Sequence, residues 1–313
     1  MPLGGFPARV LTPWRGTTIP MQSTIHLRAN RAFIFALVTA HGMLVLLPFL
    51  LPMSYLWAGL LTPLVLLSSL QWGLIHEGIH KLLLPDATQN ERASRVLAVL
   101  MGASFHVLRF GHLMHHKMNR DWHSERVPAK TLLARSYYYA NLFVGLYLGE
   151  MLTSILLTVL PRRTFMRVAR ASFLKGYEPV AIAGERFFYQ RGNIRAVRTD
   201  TVVMLGFYAT AFVLYGVYWP VLAVFLMTRA MVVSFMDNVY HYATPADNSK
   251  PGKELALPEW ASLGLLRSNY HETHHLNPEV PWHQLPQVHA AQGRMFDGPW
   301  LAHARMQLAG PVV

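Results

Sequence analysis

Two long apolar runs near the start of this chain leave little freedom in what it can fold into. Ala32 through Leu51 carries no formal charge over 20 positions. At about 1.5 Å of rise per residue a helix of that length reaches about 30 Å, the thickness of a bilayer's hydrocarbon core. Pro52 and Ser54 then lead into a second apolar run that reaches Trp72. The pair reads as a helical hairpin with an uncharged tip between Pro48 and Ser54. The segment before it, residues 1–31, holds Arg9, Arg15, Arg28 and Arg31 and no acid. By the positive-inside rule that segment is expected on the cytoplasmic side. The composition agrees with a membrane chain: 52% of the residues are hydrophobic and only 14% charged, against about a quarter in soluble domains.

Asp200 to Met236 is too long for one span, and Tyr218, Trp219 and Pro220 divide it near its middle. It predicts a second hairpin. Tyr138 to Leu160 is long enough to cross but contains Glu150. If it crossed, residues 161–199, with nine basic side chains against Glu178 and Glu185, would lie outside. That charge balance is a cytoplasmic one, so Tyr138 to Leu160 is expected to be re-entrant or interfacial. The expected architecture is therefore all-α and integral to a membrane, as one domain over residues 1–313. Four transmembrane helices form two hairpins, a cytoplasmic helical cap sits above them, and residues 287–313 form a C-terminal tail. The net charge of +12 fits a face turned to anionic headgroups, with no nucleic-acid role. A bacterial inner membrane is the expected location.

Cysteine is absent, which excludes disulfides, thiolate zinc sites, iron–sulfur clusters and cysteine nucleophiles. Histidine is abundant, and its spacing matters more than its number. His76 and His80 stand four apart in HEGIH, His112, His115 and His116 form HLMHH, and His271, His274 and His275 form HETHH. Residues three and four apart share a helix face, so each box aims its rings at one spot. Imidazole suits iron, zinc and copper, and eight such ligands exceed what one ion uses, so two ions are the natural reading. His241, in DNVYHY at the end of the last predicted span, offers a ninth. The first box ends the second span and His241 ends the fourth, so all the boxes fall on one side.

Three boxes of the form HxxxH, HxxHH and HxxHH, in this order between hydrophobic hairpins, resemble the membrane fatty acid desaturase and hydroxylase superfamily. The stretch from Tyr270 to Pro286, YHETHHLNPEVPWHQLP, is similar to the corresponding ending of bacterial and plant acyl desaturases. The resemblance extends from about the first span to Pro286. It implies a non-haem di-iron centre, with two Fe ions held by His76, His80, His112, His115, His116, His241, His271, His274 and His275. It implies O2 as co-substrate and oxygen-dependent desaturation of a fatty acyl chain carried by lipid, coenzyme A or acyl carrier protein. The chain shows no cytochrome, flavin or ferredoxin signature, so electrons are expected from an external donor such as ferredoxin. Asn238 or Asp237 would hold a metal-bound water, because the family's asparagine often stands four residues before its histidine, which is Asp237 here.

Other chemistries share these residues. Hydroxylases and ketolases of the same superfamily, acting on alkyl or carotenoid substrates, carry related boxes. HEGIH and HETHH also match HExxH, the zinc-protease helix in which the glutamate is the general base. An intramembrane protease would leave His112, His115, His116 and His241 without a role, since such a site needs three protein ligands and a water. Glu77 and Glu272 are read instead as groups that orient an imidazole. His41 lies inside the first span and is a candidate functional or buried hydrogen-bonding residue. His106, His123, His283 and His289 are assigned solvated or core-lining roles, and His26 and His303 are assigned to the surface. Trp72 and Trp282 are expected to be interfacial anchors. Arg109, Lys117, Arg120 and Arg126 surround the second box as charges near a membrane.

Overall fold

The computed structural model describes residues 24–118, 131–172, 174–245 and 250–310. Arg9, Arg15, Arg120, His123 and Arg126 lie outside the described residues. The first helix, α1 (Thr24–Leu50), is followed by α2 (Trp57–Leu66) and α3 (Ser68–Ile79), which together form one stretch long and apolar enough to cross a membrane. α4 (Ala87–Met101) and α5 (Phe105–Met118) meet at a bend of 98°. Gly102, at φ +110, caps α4 there in a backbone conformation that side chains disfavour. Arg95 pairs with Asp200 at 2.7 Å and Ser104 donates to the same carboxylate at 3.0 Å, which fastens both sides of the bend.

α6 (Leu132–Ala140) runs through a π-turn at Asn141–Gly145 into α7 (Leu146–Val159). A helix here is compatible with the re-entrant or interfacial course expected from the sequence. Arg135–Val159 is helical throughout, and it too is long and apolar enough to cross a membrane. Glu150 is turned inward, with its Oε1 3.7 Å from where a Cβ on Gly111 of α5 would stand. An ionisable group that faces the bundle rather than lipid is the usual way such a residue is tolerated. α8 (Arg162–Ala171) and α9 (Glu178–Phe188) follow, burying Phe165, Met166, Val180 and Phe188 against each other and α5.

α10 (Arg191–Tyr215) and α11 (Trp219–Asn238) are joined by a single 3-10 turn. Arg229 donates to Tyr208 at 2.9 Å although 21 residues separate them. A straight helix would hold them about 31 Å apart, so α11 turns back along α10. Among the described residues, four helical stretches meet the length and apolarity required of a span: His26–Leu50, Trp57–Ile79, Arg135–Val159 and Arg191–Asn238. Phe35, Leu66 and Val213 on these stretches are each more than 70% exposed, surface that fits lipid better than water.

The remaining elements are short: α12 (Glu259–Gly264), α13 (His271–Leu276), α14 (Leu285–Ala291) and α15 (Trp300–Met306). β1 (Leu255–Ala256) and β2 (Gly298–Pro299) pair in parallel, with Leu255 opposite Gly298. One hydrophobic cluster lies around the boxes, with Leu74, Ile75, Leu97 and Leu108 among its buried members. A second, with Leu44, Trp57, Leu61, Tyr215 and Phe225, fills the other end of the bundle. His41 is buried there on α1 and contacts Arg229, which is itself fully buried. His26 is buried as well, contrary to its surface assignment. It bonds Leu82 O at 2.9 Å and stacks on His283 at 4.4 Å.

Candidate metal centre

Four separate segments carry the nine predicted histidines into one place. His76 and His80 stand at the C-terminal end of α3, where Gly78 between them lets α4 come close. A Cβ on Gly78 would lie 1.9 Å from Ser94 Oγ. His112, His115 and His116 project from the last turns of α5. His241 sits in the turn just after α11, its N–H bonded to Asn238 O at 3.1 Å. α13 supplies His271, His274 and His275.

The side chains sort into two groups. His76, His80, His112, His116 and His274 form one, His115, His241, His271 and His275 the other, and within each the ligand atoms lie within 4.8 Å of one another. The partition has a helical logic. Each i, i+4 pair (His76 with His80, His112 with His116, His271 with His275) stays within one group. Each i+3 residue, His115 and His274, turns to the other.

In the first group the Nε2 atoms of His80 and His112, of His112 and His116, and of His116 and His274 are 2.9, 2.9 and 3.1 Å apart. In the second the corresponding separations are 2.7 Å for His241 and His271, 3.0 Å for His271 and His275, and 3.2 Å for His115 and His275. Hydrogen bonds alone do not account for this. A ring nitrogen either donates or accepts, so His112 Nε2 cannot satisfy both His80 and His116. A cation at the centre satisfies all of them: two nitrogens each about 2.1 Å from one ion and at right angles to it lie about 3.0 Å apart. The donor set therefore fits two transition-metal ions.

The electrostatics suit ligation. Burial lowers His80 to about 4 and holds His271, His274 and His275 well below the ordinary imidazole range. Near neutral pH these rings are uncharged and their lone pairs are free for a metal. Tyr240 stacks on His271 with centroids 4.9 Å apart, and its hydroxyl meets Ser268 Oγ at 3.1 Å, so that ring is held from behind.

A cavity opens beside both groups, lined by His76, His112 and His274 of the first and His115 and His271 of the second. Trp72, Met236, Leu265, Leu266 and Leu285 give it an apolar wall, and Asp237 and Glu77 also face it. Of the two residues expected to hold water, Asp237 lines this cavity and accepts from Trp72 Nε1 at 3.2 Å. Asn238 instead spends its amide on Ser234 O at 2.8 Å and Leu142 O at 3.5 Å.

Several other expectations are corrected. Neither Glu77 nor Glu272 bonds a box histidine among the described residues. Glu77 accepts from Trp282 N at 3.3 Å, and Glu272 pairs with Arg294. Trp72 and Trp282 are not free interfacial anchors, because their indoles are committed inside the protein, that of Trp282 to Asn30 Oδ1 at 3.1 Å. In agreement with a core-lining role, His106 is buried, 3.9 Å from Glu91, and His289 is buried with its ring stacked on Phe296, while His303, which bonds Pro299 O at 3.2 Å, stays partly exposed. Tyr240 was open to discovery from its place beside His241. The roles of Glu254 and Thr273, described below, depend on contacts between distant segments and have no local signature.

The sequence model of the fatty acid desaturase family matches residues 50–302. This chain belongs to the fatty acid desaturase family. The matched range contains all nine histidines and the whole lining of the cavity. No curated protein matches the chain. Membership of the desaturase family implies an oxidoreductase working on lipid-type substrates in a membrane context. The family is known to use a di-iron centre, and the two histidine groups fit that pair of ions.

Proposed function

We propose that this chain is an oxygen-dependent fatty acyl desaturase whose two iron ions are held by His76, His80, His112, His116 and His274 on one side and His115, His241, His271 and His275 on the other. The observation that carries the reading is the convergence of these nine imidazoles, in groups of five and four, beside one apolar cavity that touches both. The ions, when bound, supply dioxygen activation and the removal of hydrogen from an unactivated C–H bond. Overall, two adjacent methylenes lose two hydrogens, O2 takes up these together with two electrons and two protons, and two waters leave.

The protein's own part is to bind and orient. Trp72, Met236, Leu265 and Leu266 offer an acyl chain an apolar wall along the histidine groups. Asp237, fixed by the indole of Trp72, is the polar group in that wall best placed to hold a water or a proton. The box side of the bundle and residues 1–31 face the cytoplasm in this reading, with one domain over 1–313. Electrons reach the centre from a separate carrier such as ferredoxin, and the acyl group arrives on lipid, coenzyme A or carrier protein. The protease alternative is disfavoured because Glu77 is engaged by the backbone of Trp282 and Glu272 by Arg294, so neither is poised as a general base.

The test is metal analysis and oxygen uptake on detergent-purified protein beside a His271→Ala, His274→Ala double variant. About two irons per chain, lost in the variant, with oxygen use that depends on reductant and an acyl lipid, support the reading. Product analysis then separates an alkene from an alcohol or ketone. One zinc per chain and no oxygen use would overturn it.

A further inference from the structure

We propose that Glu254, backed by Arg294, is the positioning residue of the third histidine box, and that it decides whether the second metal ion is held. The inference rests on the two-metal reading above.

The third box has a local problem. α13 is six residues long, too short to be stable by itself, and Tyr270 before it provides no side-chain cap. The first turn of a helix leaves N–H groups without intrahelical partners. Here the partner comes from 19 residues upstream in the chain. Glu254 Oε1 accepts from Thr273 N at 2.7 Å and from Thr273 Oγ1 at 2.5 Å. Both residues are fully buried, at 0% exposure. A carboxylate there satisfies an orphan donor and also meets the positive end of the helix. Thr273 is the central residue of HETHH, so fixing its backbone and hydroxyl fixes the rotation of the helix. Rotation is what turns His271 and His275 to one group and His274 to the other.

Glu254 is itself held. Arg294 Nε lies 3.3 Å from its Oε1, and the same guanidinium pairs with Glu272 inside the box. Asp297 Oδ2 accepts from Glu254 N at 2.8 Å, and Asp297 N donates to Glu254 O at 2.7 Å. Leu255 N bonds Asn269 O at 2.9 Å, and the Asn269 amide returns a bond to Leu255 O at 3.0 Å. The segment that carries Glu254 is thus locked to the residues just before the box and to those well beyond it.

The two groups depend on this clamp unequally. If α13 is released, the first group loses His274 and keeps four histidines. The second loses His271 and His275 and keeps two. Four nitrogens still hold an ion firmly, and two do not.

The experiment is a cobalt(II) titration of metal-free protein in detergent, followed by visible absorption, on wild type, Glu254→Ala, Glu254→Gln and Thr273→Val. Wild type takes up two equivalents. Glu254→Ala is expected to take up one with the second affinity at least tenfold weaker, while its elution volume and helical content stay unchanged. Glu254→Gln, whose amide oxygen can still accept from Thr273, recovers most of the second equivalent. Two equivalents at wild-type affinity in a folded Glu254→Ala protein would overturn the proposal. If that variant does not fold, Thr273→Val, which keeps the shape and removes one of the two bonds, decides it. A second affinity about fivefold weaker supports the clamp, and an unchanged one refutes it. Fewer than two equivalents in wild type would instead overturn the two-metal reading.

Discussion

Trp72 donates its indole N–H to Asp237 Oδ1 across 3.2 Å, linking α3, which ends in the first histidine box, to α11, which leads to His241. The same indole stands edge-on to His112, with centroids 6.4 Å apart. One side chain thus borders the cavity, orients its carboxylate and braces a metal-ligand candidate.

Trp72→Phe keeps the ring and removes the donor. A lost bond to a charged group is worth about 1.5–3 kcal/mol, so turnover is expected to fall about tenfold or more while metal content stays at the wild-type value. Asp237→Asn keeps the bond and removes the charge. If steady-state rates show both variants at wild-type turnover, Asp237 has no part in holding water or a proton.

His115 and His116 are neighbours in sequence and belong to different groups. Removal of His115 leaves three ligands in the smaller group, and removal of His116 leaves four in the larger. Elemental analysis of His115→Ala is expected to show close to one iron per chain, and that of His116→Ala a value nearer two. Equal losses from both would contradict the partition.

His283 is lowered to about 4, by burial first and by the neighbouring His26 second. The unfolded chain therefore binds a proton near pH 6.5 that the folded chain refuses until about pH 4. Stability falls as the pH drops through that window, and the contribution is fully present above it. Replacing His283 with Asn should flatten the pH dependence of thermal unfolding between pH 7 and 5, measured on metal-free protein. An unchanged slope would show that His283 titrates normally in the fold.

Arg162 and Arg170 are occupied by Glu185 and Glu178, whereas Arg163 and Arg167 are exposed on the outer face of α8. An acidic electron carrier is expected to use the latter two, because charges without an ion pair among the described residues steer association more effectively than paired ones. Arg163→Ala with Arg167→Ala should slow reduction by ferredoxin severalfold at low salt and leave membrane attachment intact. Stopped-flow reduction rates that match wild type would remove this face from consideration.

Much of the architecture could be read without coordinates because its signals are local. Apolar length announces the spans, and i, i+3 and i+4 spacing announces the boxes, since helix geometry alone puts those residues on one face. The surroundings of Glu150 were less legible. Whether that carboxylate faces lipid or the bundle depends on what packs beside it, here α5. Likewise Glu77 and Glu272 have the right spacing to orient an imidazole, yet the backbone of Trp282 and the guanidinium of Arg294 reach them first.

The sequence by itself determined a helical chain with stretches long and apolar enough to cross a membrane and nine histidines, eight of them at helical spacing in three boxes, because periodicity and hydrophobic length are properties of neighbouring residues. The tertiary structure alone decided which histidine joins which group, that Asp237 rather than Asn238 faces the cavity, and that Glu254 secures Thr273 from 19 residues away. Those choices rest on how helices rotate and approach one another. Rotation is set by packing and by buried hydrogen bonds between distant segments, and no local pattern encodes it.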